Sequence, residues 1–510
     1  MSEADQEISS QFAELQRKLV PLWEAVGSGK PAPHTIVVVP SLSYDSSVLG
    51  RLDGLQQYEE RFLILLMLLR NPAARLIYVT SEPILLNVVD YYLHLLPGVI
   101  PSQARPRLSL ISALDGTMRP LTEKILERPR LIERIRRLVG NPDSAYLIVF
   151  NATWLERELA LKLGVPIFGA DPKFSYLGSK SGCRRLFEEE NIPHPAGYSD
   201  LRSMEQVVES ITALRKQNPD LREVIVKTNE GVSGFGNARI DLRGLPEPGH
   251  TGESDAVSGR LRREIDDGFH GQFAKQLVRE GGVVEELLDG AEVRSPSAQM
   301  LITPAGEVQM LSTHDQLLGG KDGQVYQGCK FPADSAYAVR IAREAEKIGH
   351  RLAREGVVGR AAIDFVAIRS ENGWDPFAIE LNLRQGGTTH PFLTLQFLTD
   401  GRYLPESAAF IAPNGRRKFF VASDHVESPL YRGLTPDDLF DIVVRHKLHF
   451  DHAQQTGVVF HMVSSLPEIG RTGLTAVADS PEEAQWMYDG VVRVLDEEAK
   501  DAFEERTPFG

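Results

Sequence analysis

The sequence predicts a multidomain α/β protein whose middle part is α+β, and three observations predict it. The chain has 510 residues, and at roughly 150 residues per domain that is about three domains. From residue 34 to about 174, short β-branched runs alternate with helical patterns, the signature of an open parallel sheet. Beyond residue 220, strands come instead in pairs separated by turns. A hydrophobic content of 42% and a charged content of 25% are ordinary for a soluble globular chain. The formal charge of −14 argues against general nucleic-acid binding. Two cysteines, Cys183 and Cys329, exclude a disulfide framework or a thiolate-rich zinc cluster. The acidic N-terminus has no apolar run behind it, and the greasy stretch at 62–69 is too short to span a bilayer. The expected location is cytoplasmic, with neither membrane nor nucleic-acid partners.

The elements follow in order. A helix at 12–26 ends in the Gly-Ser-Gly-Lys-Pro-Ala-Pro breaker at 27–33. The continuous β-branched run at 35–39 reads as a buried parallel strand. A helix at 58–69, a strand at 76–80 and a helix at 84–95 come next. Strands at 108–111 and 146–150, helices at 121–139 and 154–163, and a short edge strand at 165–169 complete this unit. A second unit opens with helices at 181–191 and 204–217 and strands at 223–228 and 237–241. The polar stretch at 243–259 reads as a connector, followed by a helix at 258–278 and a strand at 283–287. Strands at 296–303 and 307–313 flank a Pro-Ala-Gly turn. A helix at 336–355 precedes the strand pair 360–368 and 376–382. The glycine content of 319–332 gives it the character of a mobile lid. The last 110 residues carry more α/β pattern, with a strand at 457–463 and a helix at 481–497.

Three constellations carry chemistry. In Val224-Ile-Val-Lys227-Thr-Asn-Glu-Gly231-Val-Ser-Gly234-Phe-Gly236, a strand delivers a lysine to a glycine loop whose N–H groups can nest phosphate oxygens. A plain hairpin turn is the alternative, and neither a Walker A loop nor a dinucleotide fingerprint is present. In Ala361-Ala-Ile-Asp364-Phe-Val and Ala378-Ile-Glu380-Leu-Asn382, acidic residues interrupt apolar strands. Alternation puts Glu380, Asn382 and Arg384 on one face, and a hairpin would bring Asp364 opposite them. Two carboxylates and an amide oxygen suit Mg²⁺, with Mn²⁺ as the other candidate; a salt-bridged polar face is the blander option. In Val283-Val-Glu285-Glu286-Leu287-Leu288, a strand end could offer backbone hydrogen bonds to a purine edge, with Glu292 near a ribose.

Phosphate loop, strand end and acidic strand pair occur in the order seen in the ATP-grasp superfamily of carboxylate–amine ligases, which the chain resembles. Leu177-Gly-Ser-Lys180 adds the lysine with which such nucleotide sites begin. The resemblance implies an N-terminal helix (1–33), a pre-ATP-grasp α/β domain (34–174) and a central lobe with the phosphate loop (175–290). It implies a C-terminal lobe with the metal site (291–400) and a C-terminal α/β extension (401–510). It further implies that ATP meets Lys180, Lys227, the loop Ser233, Gly234, Phe235 and Gly236, the strand Glu285, Glu286, Leu287 and Leu288, and Glu292. Mg²⁺ would meet Asp364, Glu380 and Asn382. Arg384 would hold the acceptor carboxylate or its phosphorylated form, and Gly387 would allow its close approach. Many ligases of the superfamily have an arginine two residues before the metal aspartate; here that residue is Ala362, which leaves Arg360 and Arg384 to supply the charge.

Longer strings resemble the pheganomycin-type peptide ligases. They include Val38-Val-Pro-Ser-Leu-Ser-Tyr-Asp45, Tyr58-Glu-Glu-Arg61, Gly356-Val-Val-Gly-Arg360, Asn382-Leu-Arg-Gln-Gly-Gly-Thr388-Thr-His390-Pro and Gly457-Val-Val-Phe-His461-Met. The implied reaction joins an amino-acid or peptide carboxylate to an amine with release of ADP and phosphate, and homodimers are common in the superfamily. Ser41, Asp45, Asn151, Thr388 and His390 are candidate substrate contacts, against helix capping or buried structural roles. Lys330 is a candidate for the γ-phosphate or a solvated lysine. Two other functions stay open: an ATP-grasp enzyme forming a thioester or carboxylated product, and a non-catalytic ATP-binding module.

Overall fold

His34–Val39 (β1), Ala74–Thr80 (β2), Leu108–Ser112 (β3) and Ala145–Val149 (β4) form a parallel sheet in the order β3-β2-β1-β4. The β1 run is buried on both faces, which is why it reads as continuous rather than alternating. Val37 and Val39 pack with the N-terminal helices, whereas Ile36 and Val38 face the core shared with the rest of the molecule. Ile167 bridges Leu147 at the sheet edge, where the strand at 165–169 was expected. The helical run at 121–139 is two helices, Leu121–Leu126 and Pro129–Val139. Pro129 lacks the N–H to continue the first one, and Arg128 before it is non-helical.

The computed structural model describes residues 3–28, 30, 32–50, 52–231, 236–265, 267–319 and 325–506. Gly197–Leu201 (β5), Glu223–Thr228 (β6), Asn237–Asp241 (β7) and Gly282–Glu286 (β8) make an antiparallel sheet in the order β5-β8-β6-β7. Val207, Ile211, Leu261 and Leu277, from helices Met204–Gln217, Glu253–Glu264 and Asp267–Glu280, pack in its core. The polar connector expected up to residue 259 is shorter, because the helix begins at Glu253. That carboxylate is buried against Arg215, which also donates to the Pro246 carbonyl.

The largest sheet gathers Val293–Arg294 (β9), Pro296–Ile302 (β10), Val308–Gly319 (β11), Val325–Phe331 (β12), Gly359–Ser370 (β13) and Gly373–Asn382 (β14). Arg402–Leu404 (β15) and Ala409–Ile411 (β16) form a separate hairpin. Phe419–Glu427 (β17), Gly457–His461 (β18) and Arg471–Ala478 (β19) join the large sheet, whose order is β14-β13-β10-β11-β12-β17-β19-β18 with β9 on β13. The segment after residue 400 therefore continues the hydrogen bonding of the preceding lobe. The joint is β12, which the glycine content had marked as lid; Phe331 at its end stacks on Phe420 of β17 at 4.9 Å. No helix among the described residues is long and apolar enough to cross a membrane.

Candidate active site

Antiparallel register places Asp364 of β13 directly opposite Glu380 of β14, and Ala362 opposite Asn382. Asn382 donates its Nδ2 to Asp364 Oδ2 at 2.9 Å, and Gln316 of β11 donates Nε2 to Asp364 Oδ1 at 2.6 Å. Burial, then the neighbouring Glu380 charge, push the Asp364 carboxyl up to about 6. Burial would raise Glu380 too, but Lys180, whose Nζ lies 2.6 Å from Glu380 Oε1, holds its carboxyl below the usual range. Two opposed carboxylates crowded with like charge, beside an amide whose oxygen is not spent on either, form a hard-oxygen donor set. That set fits Mg²⁺.

Lys180 opens the helix Lys180–Glu189, capped by Ser179, whose hydroxyl accepts from the Gly182 N–H at 3.1 Å. Its ammonium also lies 3.4 Å from the Gly231 carbonyl, at the entrance of the glycine loop. The loop is pinched at its base, where the Thr228 N–H donates to Gly236 O. Gly236 has φ +84°, and a Cβ there would sit 2.3 Å from Thr228 Oγ1, so only glycine closes this turn. Ser233, Gly234 and Phe235 lie outside the described residues.

Lys227 ends β6 with Nζ 2.7 Å from Glu285 Oε2, and Arg184 Nη1 reaches Glu285 Oε1 at 3.2 Å. Glu285 is buried, yet these two cations hold its carboxyl down against the desolvation. Its side chain thus positions Lys227, leaving only backbone to line a purine. Glu286 accepts from the Ala196 N–H, Leu287 and Leu288 are half-buried, and Glu292 is exposed, where Arg294 donates to it.

Several expected contacts have other duties. Lys330 pairs with Asp315 across β11–β12, on the sheet face opposite Gln316 and Asp364, where Asp315 accepts from Tyr337 of the helix Ser335–Glu355. It is exposed there and turned away from the carboxylates. A Cβ on Gly387 would meet the Tyr326 ring at 2.5 Å, so ring packing requires that glycine. Thr388 accepts from Gln299 and is buried. Ser41 is fully buried, accepts from the Thr122 N–H and contacts Ser43; Asn151 exchanges two hydrogen bonds with the Ser43 backbone. Asp45 is exposed, 3.6 Å from Arg279. The loops after β1 and β4 are braced by these groups, which leaves Ser41 and Asn151 no free face for a substrate.

His390 is buried at 3.0 Å from His461, and both imidazoles approach Asp424 Oδ1, at 3.2 and 2.7 Å. Arg61 Nη1 holds the other Asp424 oxygen at 2.9 Å. Burial and the neighbouring imidazole push His390 down to about 3, so it stays neutral. The three ligating atoms could hold a metal ion. Arg61 already neutralises Asp424, however, and a dication would bury uncompensated charge. The cluster is a buried polar joint between the first sheet's flank (Arg61), the helix Thr389–Thr399 and strands β17 and β18. Asp424 was missed in the sequence, although a carboxylate inside the apolar run Phe420-Val-Ala-Ser-Asp424 is the same signal that marks Asp364. Gln316 and Arg184 carried no such signal, being polar residues in amphipathic elements. Cys183 and Cys329 are buried, and burial pushes both thiols up to about 12, so neither is a nucleophile.

Arg384 closes the site toward the first sheet. Its guanidinium lies 6.0 Å from the Tyr44 ring and 5.9 Å from Phe150, and adjacent Gln385 donates to the Phe150 and Val149 carbonyls at the end of β4.

A family model described as IQCH-like, ATP-grasp matches residues 172–253 and 270–403, and one described as PGM1 C-terminal domain matches 438–491. The L-propargylglycine--L-glutamate ligase of Streptantibioticus cattleyicolor is 29% identical over 459 residues, covering 88% of this chain and 92% of the relative. The IQ motif-containing protein H of Danio rerio is 25% identical over 408 residues, which span 71% of this chain but 38% of that protein. Among solved structures, an N5-carboxyaminoimidazole ribonucleotide synthetase bound to ADP shares the fold at TM-score 0.51 and 10% identity, covering 92% of this chain and 99% of the other. The biotin carboxylase domain of Hydrogenobacter thermophilus 2-oxoglutarate carboxylase does so at TM-score 0.52 and 11% identity, with 89% and 88% covered.

Proposed function

From the ATP-grasp match over residues 172–253 and 270–403 and the likeness to an amino-acid ligase over most of the chain, we propose that this protein is an ATP-grasp enzyme, an ATP-dependent carboxylate–amine ligase working through an acyl phosphate. The observation that carries this reading is the Asp364–Glu380 pair: two opposed carboxylates, with Asn382 beside them and Lys180 against them. Asp364, Glu380 and Asn382 would hold Mg²⁺, which when bound neutralises phosphate charge. Lys180 and Lys227 reach the nucleotide phosphates from the head of a helix and the end of β6. Glu285 keeps Lys227 extended toward them.

The acid's carboxylate attacks the γ-phosphorus, giving the acyl phosphate and ADP. The amine then attacks the acyl carbon, and phosphate leaves with the carboxylate's former oxygen. No side-chain nucleophile is required; the protein contributes position and opposing charge. Arg384, beside the proposed metal carboxylates and in no ion pair among the described residues, would bind the carboxylate and then stabilise the acyl phosphate. The Streptantibioticus relative is named as the ligase of L-propargylglycine and L-glutamate, which supports an amino-acid or small-peptide substrate for this chain as well.

The test is ADP release by the purified protein with Mg²⁺-ATP against pooled acids and amines, with product mass followed. ADP formation that requires both partners, with a product equal to their sum less water, is expected. ATP binding without turnover in any pool would favour a nucleotide-sensing module instead.

A further inference from the structure

Arg360 lies two residues before Ala362 on β13, and Arg384 lies two residues past Asn382, just beyond the end of β14. Both line a cavity of about 250 Å³ that lies between the N-terminal helix Leu19–Gly27, the end of β4 and the start of β13. Leu22, Trp23, Phe168, Leu393 and Phe397 form much of its wall, and the two arginines are the only charged lining residues among those described. Arg360 Nη1 is shut away from solvent with no hydrogen-bond partner, and desolvation pushes this guanidinium down to about 10. Arg360 is half-buried, but a guanidinium with one nitrogen buried and unpartnered is costly, and a second guanidinium on the same cavity compounds the cost. An anion bridging the two would relieve it.

Resting on the ligase reading above, we propose that this cavity is the acyl-donor pocket and that the donor is a carboxylic acid with an apolar body of about amino-acid size. Its carboxylate sits between Arg360 and Arg384, at the end of the cavity nearest Asp364 and Glu380, and its body fills the apolar remainder. The volume, just under the roughly 300–1,000 Å³ of pockets for drug-sized ligands, suits one side chain and excludes a long peptide. A cationic body would lie against two guanidiniums with no carboxylate in the lining. An anionic one would bury a second charge among leucine, phenylalanine and tryptophan side chains.

The experiment replaces the unknown amine by hydroxylamine, which captures the acyl phosphate as a hydroxamate with release of phosphate. Donors are 3-phenylpropionate, acetate, glutarate and 6-aminohexanoate, each with Mg²⁺-ATP. The pocket predicts kcat/KM for 3-phenylpropionate at least about tenfold above the other three. Arg360→Leu should remove about tenfold or more of it while the circular dichroism spectrum is kept. Leu22→Trp, which narrows the cavity, should lower the ratio of 3-phenylpropionate to acetate. Equal or better use of acetate or of the charged acids would overturn the pocket and leave the ligase reading standing. Hydroxamate from none of the four would count against the ligase reading itself. The pocket is then judged by calorimetric titration with 3-phenylpropionate and its neutral amide. Preferential binding of the acid, lost in Arg360→Leu, supports it; equal binding, or none at millimolar concentration, overturns it.

Discussion

The cations of the candidate site fall into two groups that the fold treats differently. On the nucleotide side, Lys180 and Lys227 are each held by a carboxylate within 2.7 Å, Glu380 and Glu285 respectively. On the other side of Asp364, Arg360 and Arg384 have no carboxylate partner among the described residues, and part of Arg360 is buried without any partner. A paired lysine keeps its orientation without ligand and exchanges partners when phosphate arrives. A half-buried arginine with an unpartnered nitrogen marks a place where an anion from outside would be stabilised. On the proposed reading, the paired side is prepared for a nucleotide and the unpaired side for a carboxylate.

The most severe way to break this contrast is Glu380→Gln, which removes a metal carboxylate and the partner of Lys180 together. Turnover should fall by about a thousandfold or more while the melting temperature moves little; an active variant would remove the metal assignment. The contrast is sharpened by comparing Lys227→Ala with Arg384→Leu in steady-state kinetics. The lysine variant should raise KM for ATP about tenfold or more. The arginine variant should leave it within about twofold and lower kcat/KM for the acid by about 10²–10³. Equal effects of the two on ATP would erase the distinction.

A fourth substitution tests the joint that carries neither ligand. Asp424→Asn leaves Arg61 buried without a counter-ion and should cost about 3–5 kcal/mol in a urea melt. A loss of activity with unchanged stability would instead point to chemistry at His390 and His461.

The mildest prediction concerns pH. Asp364, raised to about 6, is protonated below that pH and must lose its proton to ligate a cation. Mg²⁺-dependent nucleotide binding should therefore weaken by up to about tenfold per unit as pH falls below about 6, and level off above it. Because the folded carboxyl is raised above its unfolded value, it binds more protons when folded. Its contribution to stability falls as pH climbs from about 4 to about 6, and Asp364→Asn should lose activity without lowering the melting temperature. A Mg²⁺ affinity that ignores pH between 5 and 7 would rule this out.

Much of this was legible in the sequence where the signal was local. The carboxylates in the apolar strands 359–370 and 373–382 announced both the hairpin and its shared face, and the register places Asp364 and Glu380 opposite each other. Lys180 and Lys227 stood out by their positions at a helix start and a strand end. Residues whose role depends on distant partners were not legible. Arg61, His390, Asp424 and His461 come from four separated segments, and only folding reveals that they share one joint. Gly387 was read as room for an intermediate, but the room belongs to the Tyr326 ring, 61 residues away in the chain. The strand 325–331 was hidden by the glycines beside it, and with it the continuation of the large sheet into the last hundred residues. The cavity was invisible for the same reason, since its wall draws on the helix Leu19–Gly27, β4, β13 and the helix Thr389–Thr399.

The acyl phosphate is the intermediate on which the proposed ligase stands, and isotope transfer follows it atom by atom. An accepted acid labelled with ¹⁸O in both carboxylate oxygens is incubated with Mg²⁺-ATP and the amine, and the released phosphate is weighed by mass spectrometry. One ¹⁸O atom is expected in each phosphate formed, with ADP as the nucleotide product. Label in AMP, or unlabelled phosphate alongside amide product, would contradict it.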